Sequence, residues 1–251
     1  MRVLALLAAL LWSGMAHAQG QFSDVWEPVC TLGQDAGAGC DDIRARDILD
    51  ATQAPWRAIG RVNFASIRQR SHCTGVLISD RHVLTAAHCL YNASRKRWIP
   101  AASIRFAAGY QRGEAVAVAV AKDYALAPEQ GLDGAFDNRA ALDWAVLELS
   151  EPLGDALGYL PLAPSQRAGF VAGYPGLRPH VLSRTGSCDP RPLGPSLMQA
   201  ICPVMMGDSG APLLVETETG LAVAAILSRI APTPQGIDAL FLSVDLLDQV
   251  P

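Results

Sequence analysis

From Ala58 onward the chain is cut into short β-type runs separated by turn signals, and this limits its fold more than any other feature. The runs cover residues 58–64, 75–79, 83–86, 103–107, 115–124 and 144–149, then 168–173, 180–188, 200–204, 212–216, 221–228 and 239–243. Many short strands at close spacing, with no long helical period between them, predict an all-β barrel or sandwich architecture. Residues 115–121 are rich in alanine, a helix former, but their Ala/Val alternation predicts a strand. A short closing helix is expected from Val244, and the Pro/Gly-rich stretches 173–179 and 189–195 are expected loops. With 251 residues, half of them hydrophobic, the chain can bury a sizeable core in one large domain or two packed lobes.

The first eighteen residues form a secretory signal pattern: Arg2 is the positive start, Val3 to Trp12 the apolar stretch, and Ala16-His17-Ala18 the small-x-small cleavage site. That apolar stretch is well short of the ~20 residues a spanning helix needs, so no membrane anchor is expected. The mature chain is expected to begin at Gln19 and to be secreted or periplasmic. The formal charge of −4 gives no basic surplus for nucleic acid. All six cysteines lie beyond the signal, and an even number in an oxidising compartment predicts three disulfides. Fifteen pairings are open on arithmetic; the sequence-local one is Cys30–Cys40, Cys73–Cys89 and Cys188–Cys202. No tight Cys-x-x-Cys or Cys-x-x-His pair favours a metal site instead.

The chemistry gathers at Met206-Gly207-Asp208-Ser209-Gly210-Ala211-Pro212, a serine between glycines just before an apolar run. Glycines permit the tight turn that presents backbone N–H groups beside a nucleophile. A serine hydroxyl needs a base of pKa near 7, and imidazole is the side chain that titrates there unaided. His72 and His82 read as exposed strand-end or turn residues, whereas His88 stands among small residues in Leu84-Thr85-Ala86-Ala87-His88-Cys89. Asp143 heads the apolar strand Asp143-Trp144-Ala145-Val146-Leu147, where an unpaired carboxylate is costly. Each piece alone could be an ordinary turn or core residue. Their order, His before Asp before Ser, excludes the α/β-hydrolase arrangement, since position 211 is alanine and no histidine follows His180.

At these residues the chain resembles the trypsin/chymotrypsin-type serine peptidases, over roughly residues 55–245. Ser71-His72-Cys73-Thr74-Gly75-Val76-Leu77-Ile78 leading into Val83 through Cys89 is similar to the family's histidine region. Asp143 to Leu147 resembles its aspartate strand, and Gly207 to Leu213 its serine loop. The resemblance implies two six-stranded antiparallel β-barrels of the chymotrypsin type with the active site in the cleft between them. It implies a Cys73–Cys89 bridge, a catalytic trio of His88, Asp143 and Ser209, and an oxyanion hole from the Gly207 and Ser209 amides. It implies a polypeptide substrate, no cofactor or metal, and a monomer. Ile226 to Ile230 resembles the strand that pairs with substrate, with Ser228 at the family's serine. A catalytically silent homologue serving as a binding module is the alternative, and the intact trio argues against it.

Three departures bear on activation and specificity. The family's activation site, a basic residue before Ile-Val-Gly-Gly, is absent; Ile48-Leu49-Asp50 after Asp47 is the nearest match, and Asp208 is left without an obvious activating amine. Residues 42–60 look more like the arm of bacterial secreted, glutamyl-endopeptidase-like members, so residues 19–47 are expected to be an N-terminal arm or removed pro-segment before a peptidase domain at 48–251. Six residues before the serine, where trypsin-like members carry aspartate, stands Pro203, followed by Val204. Leu227 stands where glutamate-selective members tend to carry histidine, so an apolar or small pocket is expected, with Arg229 and Ile230 narrowing the groove.

Overall fold

A computed structural model describes residues 30, 39–64, 72–131, 134–165 and 167–247. The expected signal segment and most of the arm lie outside the described residues. Sixteen strands follow in chain order. They are β1 (Asp47–Ile48), β2 (Ile59–Phe64), β3 (His72–Leu77), β4 (His82–Thr85), β5 (Tyr91–Asn92), β6 (Arg97–Trp98), β7 (Ile104–Ala108) and β8 (Ala117–Leu126). Then come β9 (Ala145–Leu149), β10 (Phe170–Gly173), β11 (Ser183–Arg184), β12 (Arg191–Pro192), β13 (Leu197–Ile201), β14 (Pro212–Thr217), β15 (Gly220–Thr233) and β16 (Gly236–Ser243). Two short α-helices, α1 (Cys40–Ala45) and α2 (Gly154–Leu157), and several 3-10 turns complete the described chain.

The first lobe is a closed antiparallel barrel in the order β2-β3-β4-β9-β8-β7. Ile59, Val76, Leu84, Phe106 and Leu147 fill it and are almost wholly buried, each worth roughly 1.5–3 kcal/mol of transfer free energy. The Ala/Val run is a strand. Ala119 and Ala121 point inward while Val118 is about half exposed, so the small residues occupy the crowded side of β8. One register positions the site: Thr85 of β4 lies opposite Ala145 of β9. His88 therefore leaves β4 at the same rim where Asp143 enters β9.

The second lobe is one antiparallel sheet of eight strands in the order β1-β11-β10-β14-β15-β16-β13-β12. Val171 of β10, Leu213 of β14, Leu227 of β15, Phe241 of β16 and Met198 of β13 share one apolar cluster, so the sheet wraps around its own core. The count exceeds the six expected because the arm adds β1 at one edge and Arg191–Pro192 adds β12 at the other. The expected strand at 180–188 shrinks to β11, and that at 200–204 shifts back to β13, ending at Ile201 before Cys202 and Pro203. Residues 191–192 form β12 within the expected 189–195 loop, and the closing segment is a 3-10 turn, Val244–Leu247.

The disulfides are Cys30–Cys40, Cys73–Cys89 and Cys188–Cys202. Among the described residues, no helix is long and apolar enough to cross a membrane.

Candidate active site

Asp143 follows a 3-10 turn, Ala140–Leu142, and is fully buried just before β9. An ionised carboxylate there needs donors, and they arrive from both lobes. His88 Nδ1 donates to Oδ2 at 2.8 Å, and the His88 backbone N–H donates to Oδ1 at 2.8 Å. Ser228 Oγ, on β15 of the second lobe, donates to Oδ2 at 2.5 Å. Burial alone would raise the Asp143 carboxyl, but the His88 charge and the bonds from His88 and Ser228 outweigh it and hold it below the ordinary carboxylate value. Since a carboxylate can only accept, His88 carries a proton on Nδ1, which turns Nε2 away from Asp143.

His88 lies in a 3-10 turn, Ala87–Leu90, that starts two residues after β4. Its side chain is 16% exposed. The neighbouring Cys89 is bonded to Cys73 of β3, which ties the turn to the barrel wall. Cys73, His88 and Cys89 bring ligand-type atoms within 4.8 Å of one another, but the two sulfurs are joined and offer no thiolate to a metal.

Ser209 sits in a loop knitted by Asp208. The Asp208 N–H donates to Met205 O, its Oδ2 accepts from the Met205 N–H at 3.0 Å, and Ala211 N–H donates to Asp208 O at 2.7 Å. Gly207 (φ 97°) and Gly210 (φ 76°) are left-handed, and neither has room for a side chain. A Cβ at 207 would stand 2.4 Å from Tyr174 O, and one at 210 would stand 2.3 Å from Thr85 Oγ1. Among the described residues, the Gly207 and Ser209 N–H groups donate to no protein acceptor.

Thr74 of β3 joins the loop to the first lobe. Its N–H donates to Ser209 O at 2.9 Å, its Oγ1 donates to Gly207 O at 2.8 Å, and Oγ1 accepts from Tyr174 N–H at 3.1 Å. The same strand carries Cys73, so a short covalent and hydrogen-bonded path runs from Ser209 through Thr74, Cys73 and Cys89 to His88. Thr74 was not among the expected site residues, although it sits inside the histidine-region motif. His72 is a second difference. It is half-buried, with Nε2 donating to Tyr174 O at 2.8 Å, rather than an exposed strand end. Burial, joined by the nearby Arg61, pushes its imidazole down to about 4. Its Nε2 lies against the bare face of Gly207, where an added Cβ would stand 2.8 Å from it.

The expected specificity residues divide. Val204 is fully buried in the second-lobe core and Pro203 is half-buried before it. Ser228 is committed to Asp143. Arg229 and Ile230 are half-exposed on β15, next to a register slip between Leu227 and Arg229, and Arg229 donates to Asn138 O at 2.5 Å. Arg46, in the arm, was given no role by the sequence, yet its buried guanidinium pairs with Asp208 at 2.7 Å.

The profile of the trypsin-like peptidase domain matches residues 73–224, more than half of the chain. The protein belongs to that family. A glutamyl endopeptidase of Bacillus licheniformis is 31% identical over 146 residues, which are 55% of this chain and 42% of that protein, so the match spans less than half of the relative's length. A solved structure of a Glu endopeptidase in complex with MPD superposes with a TM-score of 0.65 at 19% identity, covering 80% of this chain and 94% of that one. The protease Anisep from Arthrobacter nicotinovorans superposes with a TM-score of 0.58 at 20% identity, covering 76% and 92%. At these identities the two structures share the fold, the double-barrel arrangement of chymotrypsin-type serine peptidases.

Proposed function

We propose that the protein is an exported serine endopeptidase that cleaves polypeptides through an acyl-enzyme. Ser209 Oγ attacks the scissile carbonyl carbon as its proton passes to His88 Nε2. The oxyanion takes hydrogen bonds from the Gly207 and Ser209 N–H groups, each worth ~2.7–4 kcal/mol in such sites. Collapse breaks the C–N bond, and the His88 proton leaves with the amine. Water then attacks the acyl-Ser209 ester, giving its proton to His88, and the carboxylic acid departs as the proton returns to Ser209. Asp143 fixes the His88 tautomer throughout and stabilises the imidazolium. No cofactor enters these steps.

The observation that carries this reading is the convergence of His88 N–H, His88 Nδ1 and Ser228 Oγ on one buried carboxylate. The signal pattern at residues 1–18 and the three disulfides support export. The relative's name points to glutamate as the residue before the cleaved bond, whereas Pro203, Val204 and Leu227 favour an apolar or small side chain there. Cleavage profiling of the secreted protein on a peptide library tests both parts. Hydrolysis that vanishes in Ser209→Ala supports the peptidase, and preference for apolar residues supports the pocket. A folded, secreted wild type that cleaves nothing would favour the binding-module alternative.

A further inference from the structure

The aspartate beside the nucleophile is fully buried, and a charge in that position is strongly unfavourable without a partner. Its partner comes from 162 residues away: Arg46 Nη1 donates to Asp208 Oδ2 at 2.7 Å, and neither side chain reaches solvent. No other ion pair among the described residues involves Asp208. The Arg46 guanidinium also donates through Nη2 to Ser183 O at 3.2 Å, which fixes it between β10 and β11.

Arg46 is itself held firmly. It directly follows α1, whose Ile43 is fully buried in the same apolar cluster as Val204 and Met205. Arg178 donates to the carbonyls of both Arg44 and Arg46, and Asp47–Ile48 continue as β1 against β11. At the other end of α1, Cys40 is bonded to Cys30. Residues 40–48 are thus built into the second lobe, on the back of the loop that carries the oxyanion donors.

We propose that Arg46 is a positioning residue for the serine loop: it neutralises Asp208 from inside the chain, so residues 40–47 stay in the active protein and no newly cut N-terminal amine is required. This rests on the peptidase reading above and replaces the expectation that the arm is removed to about residue 47. Asp208 Oδ2 is shared by Arg46 and the Met205 N–H, so the ion pair and the fold of the Met205–Ser209 turn stand or fall together. Without the guanidinium, a buried carboxylate must either protonate or turn toward water, and either change releases the turn and the two N–H groups at Gly207 and Ser209.

The test measures kcat and KM on one peptide substrate for the full-length secreted protein and for Arg46→Met, Arg46→Ala and Arg46→Lys, with N-terminal sequencing of the active wild type. Arg46→Met is expected to lose at least 100-fold in kcat with KM changed less than about threefold, because the oxyanion donors act in the transition state. Arg46→Lys restores most of the loss, and methylguanidinium, at concentrations where urea has no effect, restores Arg46→Ala saturably. If Arg46→Met does not fold, the lysine variant and the rescue decide. An Arg46→Met or Arg46→Ala protein with wild-type kcat overturns the proposal alone, as does an active mature chain beginning after Arg46. A wild type that hydrolyses nothing overturns the peptidase reading and the proposal with it.

Discussion

Ser228 Oγ and Asp143 Oδ2 lie 2.5 Å apart, joining strand β15 of the second lobe to the carboxylate that orients His88 in the first. The acceptor is fully buried, so water cannot replace the hydroxyl if it is removed. Ser228→Ala is expected to lower kcat about 10- to 100-fold, the ~1.5–3 kcal/mol of a hydrogen bond to a charged group, with little change in KM. Steady-state kinetics check this. An equal rise in KM with kcat unchanged would instead assign Ser228 to substrate binding.

Asp143→Asn keeps the shape and reverses the hydrogen-bond polarity toward His88 Nδ1, so the imidazole adopts the wrong tautomer. A fall in kcat of about 10⁴ is expected, the size seen for the same change in a serine-peptidase triad. The pH dependence of stability gives a second readout. In the folded protein Asp143 is held below its ordinary value, so its stabilisation is complete above the unfolded value of about 3.9 and is lost as pH falls through the folded value. Chemical unfolding of Asp143→Asn between pH 6 and pH 2 should lack that acid-side loss.

Thr74 couples the Ser209 loop to the first lobe. Thr74→Val preserves volume but strands Gly207 O and Tyr174 N–H, two buried backbone groups. A loss of about 1–3 kcal/mol in stability is expected for each group left unpaired, together with a lower kcat as Gly207 loosens. Denaturant unfolding and kinetics on the same variant check both effects; wild-type values in each would show that Thr74 supports neither.

His72 supplies a different pH signature. It stays neutral in the fold down to about 4, with Arg61 and His180 facing it, while the unfolded side chain titrates near 6.5. The unfolded state therefore binds the extra proton first. The stabilisation is complete above about pH 6.5 and declines as pH falls, by roughly 3 kcal/mol at pH 4. His72→Gln keeps a donor for Tyr174 O and should flatten this slope in urea unfolding at pH 7.5 and 4.5. Equal losses in both proteins would contradict it.

Much of this molecule is legible in its sequence because the informative signals are local. The Ala/Val alternation before Tyr124 gives β8, and β4 and β9 stand as two short apolar runs, one leading into His88 and the other headed by Asp143. Cys73 and Cys89 were the local pair, and they bond. Where a disulfide and a proline follow one another at Cys202 and Pro203, the strand signal at 200–204 overran, since proline has no N–H for the ladder. Arg46 was invisible for a different reason. Its partner is 162 positions away, and a lone arginine in a polar arm looks solvated until the fold brings Asp208 to it. Thr74 carries no signal of its own beside Cys73, because its partners Gly207 and Tyr174 are 133 and 100 positions away. His72 looked exposed because nothing in its neighbourhood announces that Gly207 and Tyr174 pack onto it.

The proposed nucleophile is Ser209, activated by His88. Intact-mass and peptide-level mass spectrometry after reaction with a fluorophosphonate test it most directly. A single adduct on Ser209 is expected in the wild-type protein, absent in Ser209→Ala and formed far more slowly in His88→Ala. A folded wild-type protein that takes no adduct, or takes it on another residue, would contradict it.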